Sequence, residues 1–162
     1  MQVSGVAFLD RLRRLVPGRP DPDPFARGSR ALDHGRLDRA EAAFGEALGT
    51  ATTARQAAAV HNKLAVIAIL RHDRAGAVEQ LVRALEVDPR SPAAITTIGN
   101  LLLEDGDLDE AIVHFEHALM IDDGYAPAYH NLGVALHRQG RRGAAVRMLR
   151  KASRLEGSIA GR

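Results

Sequence analysis

Apolar residues recur at every third or fourth position along most of this chain, and short polar stretches separate the apolar segments. Ile98 and Leu102 form one such series, and Ile112, Phe115 and Leu119 form the next. This spacing places apolar side chains on one face of an α-helix. No stretch alternates between apolar and polar residues at the period of two that is typical of a strand. The pattern therefore predicts an all-α chain.

Small residues repeat at a fixed distance inside the segments that should pack. The aligned sets are Gly28, Gly35, Ala40 and Ala47; Ala65, Ala77 and Ala84; Gly99, Gly106, Ala111 and Ala118; and Gly133, Gly140, Ala145 and Ala152. The last three sets are thirty-four residues apart, and the first precedes the second by thirty-seven, which indicates about three inserted residues near TATTARQ. His72 stands where the second set would have a turn glycine. This period predicts an array of helix–turn–helix repeats.

The repeated positions resemble the signature of the tetratricopeptide repeat (TPR) family over about residues 21–157. The last three repeats carry Leu64, Ala65, Ala77, Leu81, Ala84 and Pro89; Ile95, Ile98, Gly99, Leu102, Ala111, Phe115 and Ala118; and Tyr129, Leu132, Gly133, Leu136, Ala145, Leu149 and Ala152. In the first repeat, Pro24 and Arg27 occupy positions that the family fills with large apolar residues. The resemblance implies a right-handed TPR solenoid of about four repeats, at about residues 21–54, 58–91, 92–125 and 126–157.

The small residues have a physical role in such a repeat. Gly or Ala at the eighth position faces Ala at the twentieth, so the two helices approach closely where they cross. Phe115 and Leu149 fill the space beside these contacts. Gly106 and Gly140 suit the left-handed conformation that ends a helix. The prolines of the DPRSP stretch are expected to end the preceding helix at Val87.

Residues 1–16 are predicted to form an amphipathic helix that precedes the array. Its apolar docking face consists of Phe8, Leu9, Leu12, Leu15 and Val16. The Pro-rich stretch of residues 17–24 predicts a stiff linker. The helix has three alternative roles: it caps the first repeat, it inserts into the groove of its own or a neighbouring chain, or it lies on a membrane surface. At the other end, the last helix is expected to stop near Glu156, with residues 158–162 as a tail.

The composition excludes several classes of protein. The chain has 162 residues and no cysteine, so it has neither a disulfide framework nor a thiol nucleophile. No apolar run approaches the roughly 18 residues of a membrane span, and the N-terminus lacks the basic-then-apolar order of a signal peptide. These features predict a cytoplasmic protein. The excess of Arg over Lys fits a GC-rich bacterial genome.

Charge is distributed unevenly although the net charge is only +2. Residues 92–125 hold eight acidic side chains and no Lys or Arg, whereas residues 126–162 hold eight basic side chains against Glu156 alone. Most charge runs are simply solvated helix faces. An acidic segment next to a basic one also suits end-to-end docking of one copy on another, or binding of an acidic partner to the basic end. The apolar residues of the last helix leave open an assembly surface at that end; they are Val146, Met148 and Leu155.

The family resemblance implies that the first helices of successive repeats line a concave groove that binds a partner. The corresponding residues are Phe25, Ser29 and Leu32; Asn62, Val66 and Ile69; Thr96, Asn100 and Leu103; and His130, Val134, His137 and Arg138. Asn62 and Asn100 are expected to bond a peptide backbone. Leu32, Ile69 and Leu103 are expected to receive the apolar face of a helix. In the alternative interpretation, Val66 and Val134 pack within the array.

Some TPR co-chaperones bind a C-terminal carboxylate with a clamp of Lys, Asn and Arg. That clamp is absent here, because Phe25, Ser29, Ala93 and Thr97 occupy the matching places. The missing positive charge favours an apolar or amphipathic protein segment as the ligand.

Candidate chemistry is sparse. His114 and His117 lie three residues apart on one helix, but no carboxylate partner is fixed by the pattern, which favours a surface pair over a metal site. No nucleophile elbow, P-loop or Gly-rich phosphate loop occurs. The sequence therefore predicts no catalytic residue, no cofactor and no metal, and the basic residues lack the interleaved aromatics of a nucleic-acid interface.

Together, these patterns predict a non-catalytic scaffold that binds a protein partner in the TPR groove. The alternative is a structural subunit of a homo- or hetero-oligomeric assembly that docks through the N-terminal helix. Peripheral contact with a membrane remains a third alternative for that helix.

Overall fold

The computed structural model describes residues 23–160, and within this range the chain forms α-helices and no strand. The helices are α1 (Pro24–Asp33), α2 (Leu37–Thr50), α3 (Ala54–Leu70), α4 (Arg74–Val87), α5 (Pro92–Asp105), α6 (Leu108–Ile121), α7 (Ala126–Arg138) and α8 (Arg142–Ala160). They form four consecutive pairs, so the predicted all-α TPR solenoid is confirmed. The predicted helix of residues 1–16 and most of the 17–24 linker lie outside the described residues.

The fold divides into two units, Met1–Thr50 and Ala51–Arg162. In the described part of the first unit, α1 packs on α2. In the second unit, α3 packs on α4, α5 on α6 and α7 on α8. The first helices of these three pairs, α3, α5 and α7, also lie next to one another. They are called the inner helices below, and they carry most of the predicted groove residues.

Side-chain caps fix where α3 and α5 begin. The Thr53 hydroxyl accepts from the Gln56 backbone N–H, and the Gln56 side chain accepts from the Thr53 N–H in return. This capping box starts α3 at Ala54, four residues before the predicted repeat boundary at residue 58, because the inserted residues extend the helix. Ser91 likewise accepts from the N–H of Ala94 at the start of α5.

A left-handed residue ends the first helix of every pair. Gly35, Gly106 and Gly140 have φ values of 67°, 89° and 84°. His72 occupies the same place after α3 and has φ 60°. The backbone geometry of the turn is thus retained where the sequence lacks glycine. A side chain in this conformation costs roughly 1–2 kcal/mol, because Cβ approaches the following carbonyl oxygen.

Replacing His72 by glycine is expected to stabilise the second unit by about 1 kcal/mol. The exposed side chain has few packing contacts to lose, and glycine removes the strain at the cost of a more flexible unfolded chain. Urea denaturation of the full chain, followed by circular dichroism, measures the change. Alanine at the same position is the control and should give no comparable gain. A loss of stability with glycine would show that the strain is negligible.

Small residues lie where paired helices cross, as the sequence predicts. Ala77, Ala111 and Ala145 are buried on the second helices of their pairs. A Cβ added to Gly99 would lie only 2.6 Å from Cε1 of Phe115, and one added to Gly133 would lie 2.7 Å from Cγ of Leu149. These helices therefore leave no room for a side chain at the crossing.

Buried apolar side chains link the three pairs of the second unit into one core. Its clusters comprise Ala58, Ala65, Leu81, Ala84, Ala94 and Leu101; Ile95, Ala118 and Ala128; and Leu103, Ala111, Ile112, Phe115, Leu132, Ala135, Leu136 and Ala145. In the first unit, the rings of Phe25 and Phe44 meet edge to face at 5.5 Å. Phe44 is fully buried and fills the space that Gly28 leaves open.

The last helix extends beyond its expected end near Glu156. It continues to Ala160, so residues 158–160 of the predicted tail are helical. Gly157 is the weakest helix former in this stretch, and no proline interrupts it. A single glycine costs a helix only about 1 kcal/mol, which does not end it.

Candidate functional site

The predicted groove residues of the second unit differ widely in exposure. Asn62, Thr96 and Leu103 are buried, with 8%, 2% and 8% of their surface exposed. The half-buried members are Val66, Ile69, Asn100 and Val134, and the exposed ones are His130, His137 and Arg138. That these residues line a groove stays a prediction, and the three buried ones have little surface to offer a ligand. They lie on the sides of the inner helices that face neighbouring helices.

Hydrogen bonds between polar side chains connect the inner helices. The Thr97 hydroxyl on α5 donates to Oδ1 of Asn62 on α3 at 2.8 Å. The Asn131 amide on α7 donates to Oδ1 of Asn100 on α5 at 2.7 Å. These two bonds join the three inner helices, α3 to α5 and α5 to α7. They are called the polar ladder below.

The polar ladder changes the expected role of the two asparagines. Asn62 and Asn100 are predicted to bond the backbone of a bound peptide, but both side-chain oxygens already accept bonds within the protein. Arg138 is similarly occupied, because its guanidinium donates to the backbone oxygen of Leu103 at 3.0 Å. These polar groups are therefore bonded within the protein. The apolar residues beside them on the inner helices are the ones left to contact a ligand.

The apolar surface of the inner helices is partly open. Val66 on α3 is half-buried, and Ile69 packs only partly against the cluster around Leu81. Val134 on α7 packs partly against the cluster around Phe115. Packing within the array, the alternative interpretation for Val66 and Val134, thus accounts for part of each side chain. The rest remains available for contact.

A pocket of about 560 Å³ lies at the loops between the pairs of the second unit. Its lining combines Arg55 and Arg90 with Asp88, Asp122 and Tyr125. Burial, and then the Asp122 carboxylate, raise the pKa of Tyr125 above its ordinary value. Sequence reasoning missed this pocket, because its residues come from separate loops and helix starts.

The predicted groove residues of the first unit lie on α1. Phe25, Ser29 and Leu32 are all half-buried and recur at the spacing of one helix face. Phe25 is held against Phe44 by the edge-to-face contact. These three residues therefore form a partly open apolar face within their own unit.

The predicted assembly surface on α8 is only partly exposed. Val146 is 46% exposed, whereas Met148 and Leu155 are half-buried. The Lys151 ammonium lies 5.8 Å from the centre of the Tyr129 ring, so it covers one side of that ring. The helix combines this surface with several exposed arginines.

The described helices show no site for a metal ion and no membrane span. Nδ1 of His114 lies 3.0 Å from the backbone oxygen of Glu110, and His117 is exposed. No group of three or more His, Asp or Glu side chains among the described residues could hold a metal. None of the described helices is both long and apolar enough to cross a bilayer.

Comparisons with known proteins identify tetratricopeptide repeats in this chain. Two family profiles, both described as tetratricopeptide repeat, match residues 25–74 and 91–155. A sequence relative is the probable UDP-N-acetylglucosamine–peptide N-acetylglucosaminyltransferase SPINDLY of Solanum lycopersicum, which is 38% identical over 60 residues. That match covers 37% of this chain and only 6% of the plant protein.

Solved structures share the fold at low sequence identity. The crystal structure of MamA matches with a TM-score of 0.59 and 20% identity, covering 100% of this chain and 99% of that one. Pseudomonas aeruginosa PilF matches with a TM-score of 0.65 and 23% identity over 82% of this chain and 59% of that one. YrrB, described as a TPR protein with an unusual peptide-binding site, matches with a TM-score of 0.55 and 22% identity, covering 94% and 81%.

Proposed function

The chain belongs to the tetratricopeptide repeat family, whose fold is a scaffold for protein–protein interaction, and we propose that it binds a partner segment on its inner helices. The ligand is an apolar or amphipathic peptide or helix that lies across α3, α5 and α7. The protein acts without catalysis. Of the structural relatives, YrrB is described as having a peptide-binding site, which supports this class of ligand.

One observation carries the proposal: half-buried apolar side chains on the inner helices lie beside a polar ladder that is already bonded. Val66, Ile69 and Val134 offer apolar contact. The bonds of Asn62 and Asn100 hold the helices in place before any ligand arrives. A preorganised surface loses little freedom on binding, so modest apolar contact gives measurable affinity.

We expect Val134→Asp to weaken binding of a selected peptide by about tenfold, because it places a charge on the apolar contact surface. Peptides are first selected on the full chain from a phage-displayed library of random sequences. Affinity of the synthetic peptide is then measured by fluorescence anisotropy. The expected ligands carry apolar residues at helical spacing.

The matched control is Val113→Asp, the same change at a residue of α6 that is 61% exposed and outside the proposed surface. It should leave the affinity unchanged. His130→Asp, at an exposed position of α7, replaces the first variant if Val134→Asp fails to fold. Equal affinities for wild type and both inner-helix variants would overturn the proposal.

A second candidate function is a structural subunit that assembles with its own copies. The charge distribution of the second unit favours it, because α6 exposes Asp109, Glu110 and Glu116 while α8 exposes Arg147 and Arg150. Opposite charges on separate faces suit head-to-tail docking of one copy on the next. The predicted docking helix of residues 1–16 is a further element through which copies would join.

Light scattering behind size exclusion tests the assembly. A subunit of this kind should form oligomers at about 0.1 M salt that dissociate as salt screens the charges. Removal of residues 1–20 should also reduce the number of copies in the oligomer if the docking helix joins them. A monomer under all these conditions would exclude the self-assembling subunit and leave the scaffold that binds a partner segment.

A further inference from the structure

Arginine side chains line a concave site within the first unit. A pocket of about 510 Å³ lies between α1 and α2. Its lining comprises Arg27, Arg30, Ala31, His34, Arg36, Arg39, Ala42, Ala43 and Glu46. Among the described residues, four arginines and one histidine line this pocket, together with one carboxylate residue, Glu46.

Three of these four arginines have no ion-pair partner among the described residues. Arg27 forms an ion pair with Glu46, the one carboxylate residue among the described lining residues. Arg30, Arg36 and Arg39 are exposed and pair with no acidic residue in the part of the chain that the structure describes. Like charges gathered in a concave site focus a positive potential there and raise the local concentration of anions.

The small residues of the pocket leave the guanidinium groups accessible. Ala31, Ala42 and Ala43 supply the apolar part of the lining. His34 is held at the rim, because its Nδ1 lies 2.7 Å from the backbone oxygen of Arg30. A ligand with short methylene stems and terminal charges fits such a site, since the stems contact alanine and the charges meet arginine.

The pocket lies on the other side of α1 from the predicted groove residues. Arg27 follows Phe25 by two positions, which is about 200° around a helix. Ala31 and His34 continue the Arg27 face, whereas Ser29 and Leu32 continue the Phe25 face. The arginine pocket thus uses a different face of α1 from the predicted groove residues of that helix.

We propose that the arginine pocket between α1 and α2 binds an acidic segment of a partner protein through its Asp and Glu carboxylates. The arginines of the pocket come from α1, α2 and the turn between them. An acidic segment carries separate carboxylates along its length, so each carboxylate can meet a different arginine. A compact dianion such as phosphate matches them less well, because it would bring more charge close to Glu46. Arginine also binds carboxylates in a bidentate geometry.

The probe is a fluorescein-labelled peptide of alternating Asp and Glu, titrated into the full chain and followed by anisotropy. The double variant Arg36→Ala, Arg39→Ala should bind it roughly tenfold more weakly. The control is Arg150→Ala, Arg154→Ala, which removes the same charge from exposed positions of α8 and should change the affinity less than twofold. Val134→Asp should leave it unchanged, which separates this site from the inner helices.

Three outcomes would overturn the proposal. The two double variants weaken binding equally, which means non-specific attraction to a basic chain. A labelled single-stranded oligonucleotide or inorganic phosphate competes more strongly than unlabelled peptide, which means a phosphate site. Binding of the labelled peptide does not reach saturation at low salt, which means that the pocket is not a defined site for it. Circular dichroism confirms that each variant remains folded.

Discussion

Replacing Gly99 by alanine is expected to lower the free energy of unfolding by about 1–2 kcal/mol. The new Cβ would lie 2.6 Å from Cε1 and 2.9 Å from Cδ1 of Phe115, whose ring is fully buried. Overpacking of this kind costs about 1–3 kcal/mol, because the core must move. The higher helix propensity of alanine returns at most about 1 kcal/mol. Urea denaturation monitored by circular dichroism gives the net change.

Gly45→Ala is the matched control, because glycine also lies inside a helix there and nothing is within 4 Å of the new Cβ. That substitution should stabilise its unit by about 0.5–1 kcal/mol. The same chemical change is thus expected to have opposite signs at two helical positions. A stabilising effect at Gly99 would show that the Phe115 ring moves aside without loss.

The repeats themselves suggest a compensating change. In the second pair, Ala65 stands where Gly99 stands in the third, and Leu81 takes the place of Phe115. Both Ala65 and Leu81 are buried there without conflict. The double variant Gly99→Ala, Phe115→Leu should therefore be more stable than the sum of its single effects predicts, by about 1 kcal/mol.

Much of the fold follows from the sequence, because the packing is repeated and its signals are local. Glycine or alanine at a crossing, and glycine at a turn, recur at the same distance in each pair, so one repeat supports the assignment of the next. His72 shows the limit of this reasoning. Its left-handed φ follows from the geometry of the whole pair and not from its own preference. The earlier start of α3 likewise depends on a cap that Thr53 and Gln56 form only once folded.

The candidate sites were harder to predict than the fold. Position within a repeat identifies the inner helices, but the exposure of a side chain depends on how closely neighbouring pairs approach. Asn62 and Leu103 are buried for this reason, whereas Val134 is not. The arginine pocket was missed because acidic residues are interspersed with arginines along residues 24–50. The arginines are grouped only when α1 and α2 fold together, because Arg36 and Arg39 then line the same pocket as Arg27 and Arg30.

Thr96→Val is expected to raise the free energy of unfolding by about 1 kcal/mol. The Thr96 side chain is 2% exposed, and its hydroxyl oxygen has no hydrogen-bond partner among the described residues. An unpaired buried hydroxyl costs about 1–3 kcal/mol relative to water, and valine has nearly the same shape without the polar atom. Threonine and valine differ little in helix propensity, so that term does not reverse the sign. Urea denaturation of the full chain measures the gain.

The adjacent residue should respond in the opposite direction. Thr97 is also buried, but its hydroxyl donates to Oδ1 of Asn62 in the polar ladder. Thr97→Val leaves that buried oxygen without its donor and should therefore cost about 1–3 kcal/mol. Two neighbouring threonines with equal losses would mean that Thr96 has a partner in solution, such as a buried water. Opposite signs would show that the bond between Thr97 and Asn62, and not burial of threonine as such, contributes to the packing of α3 against α5.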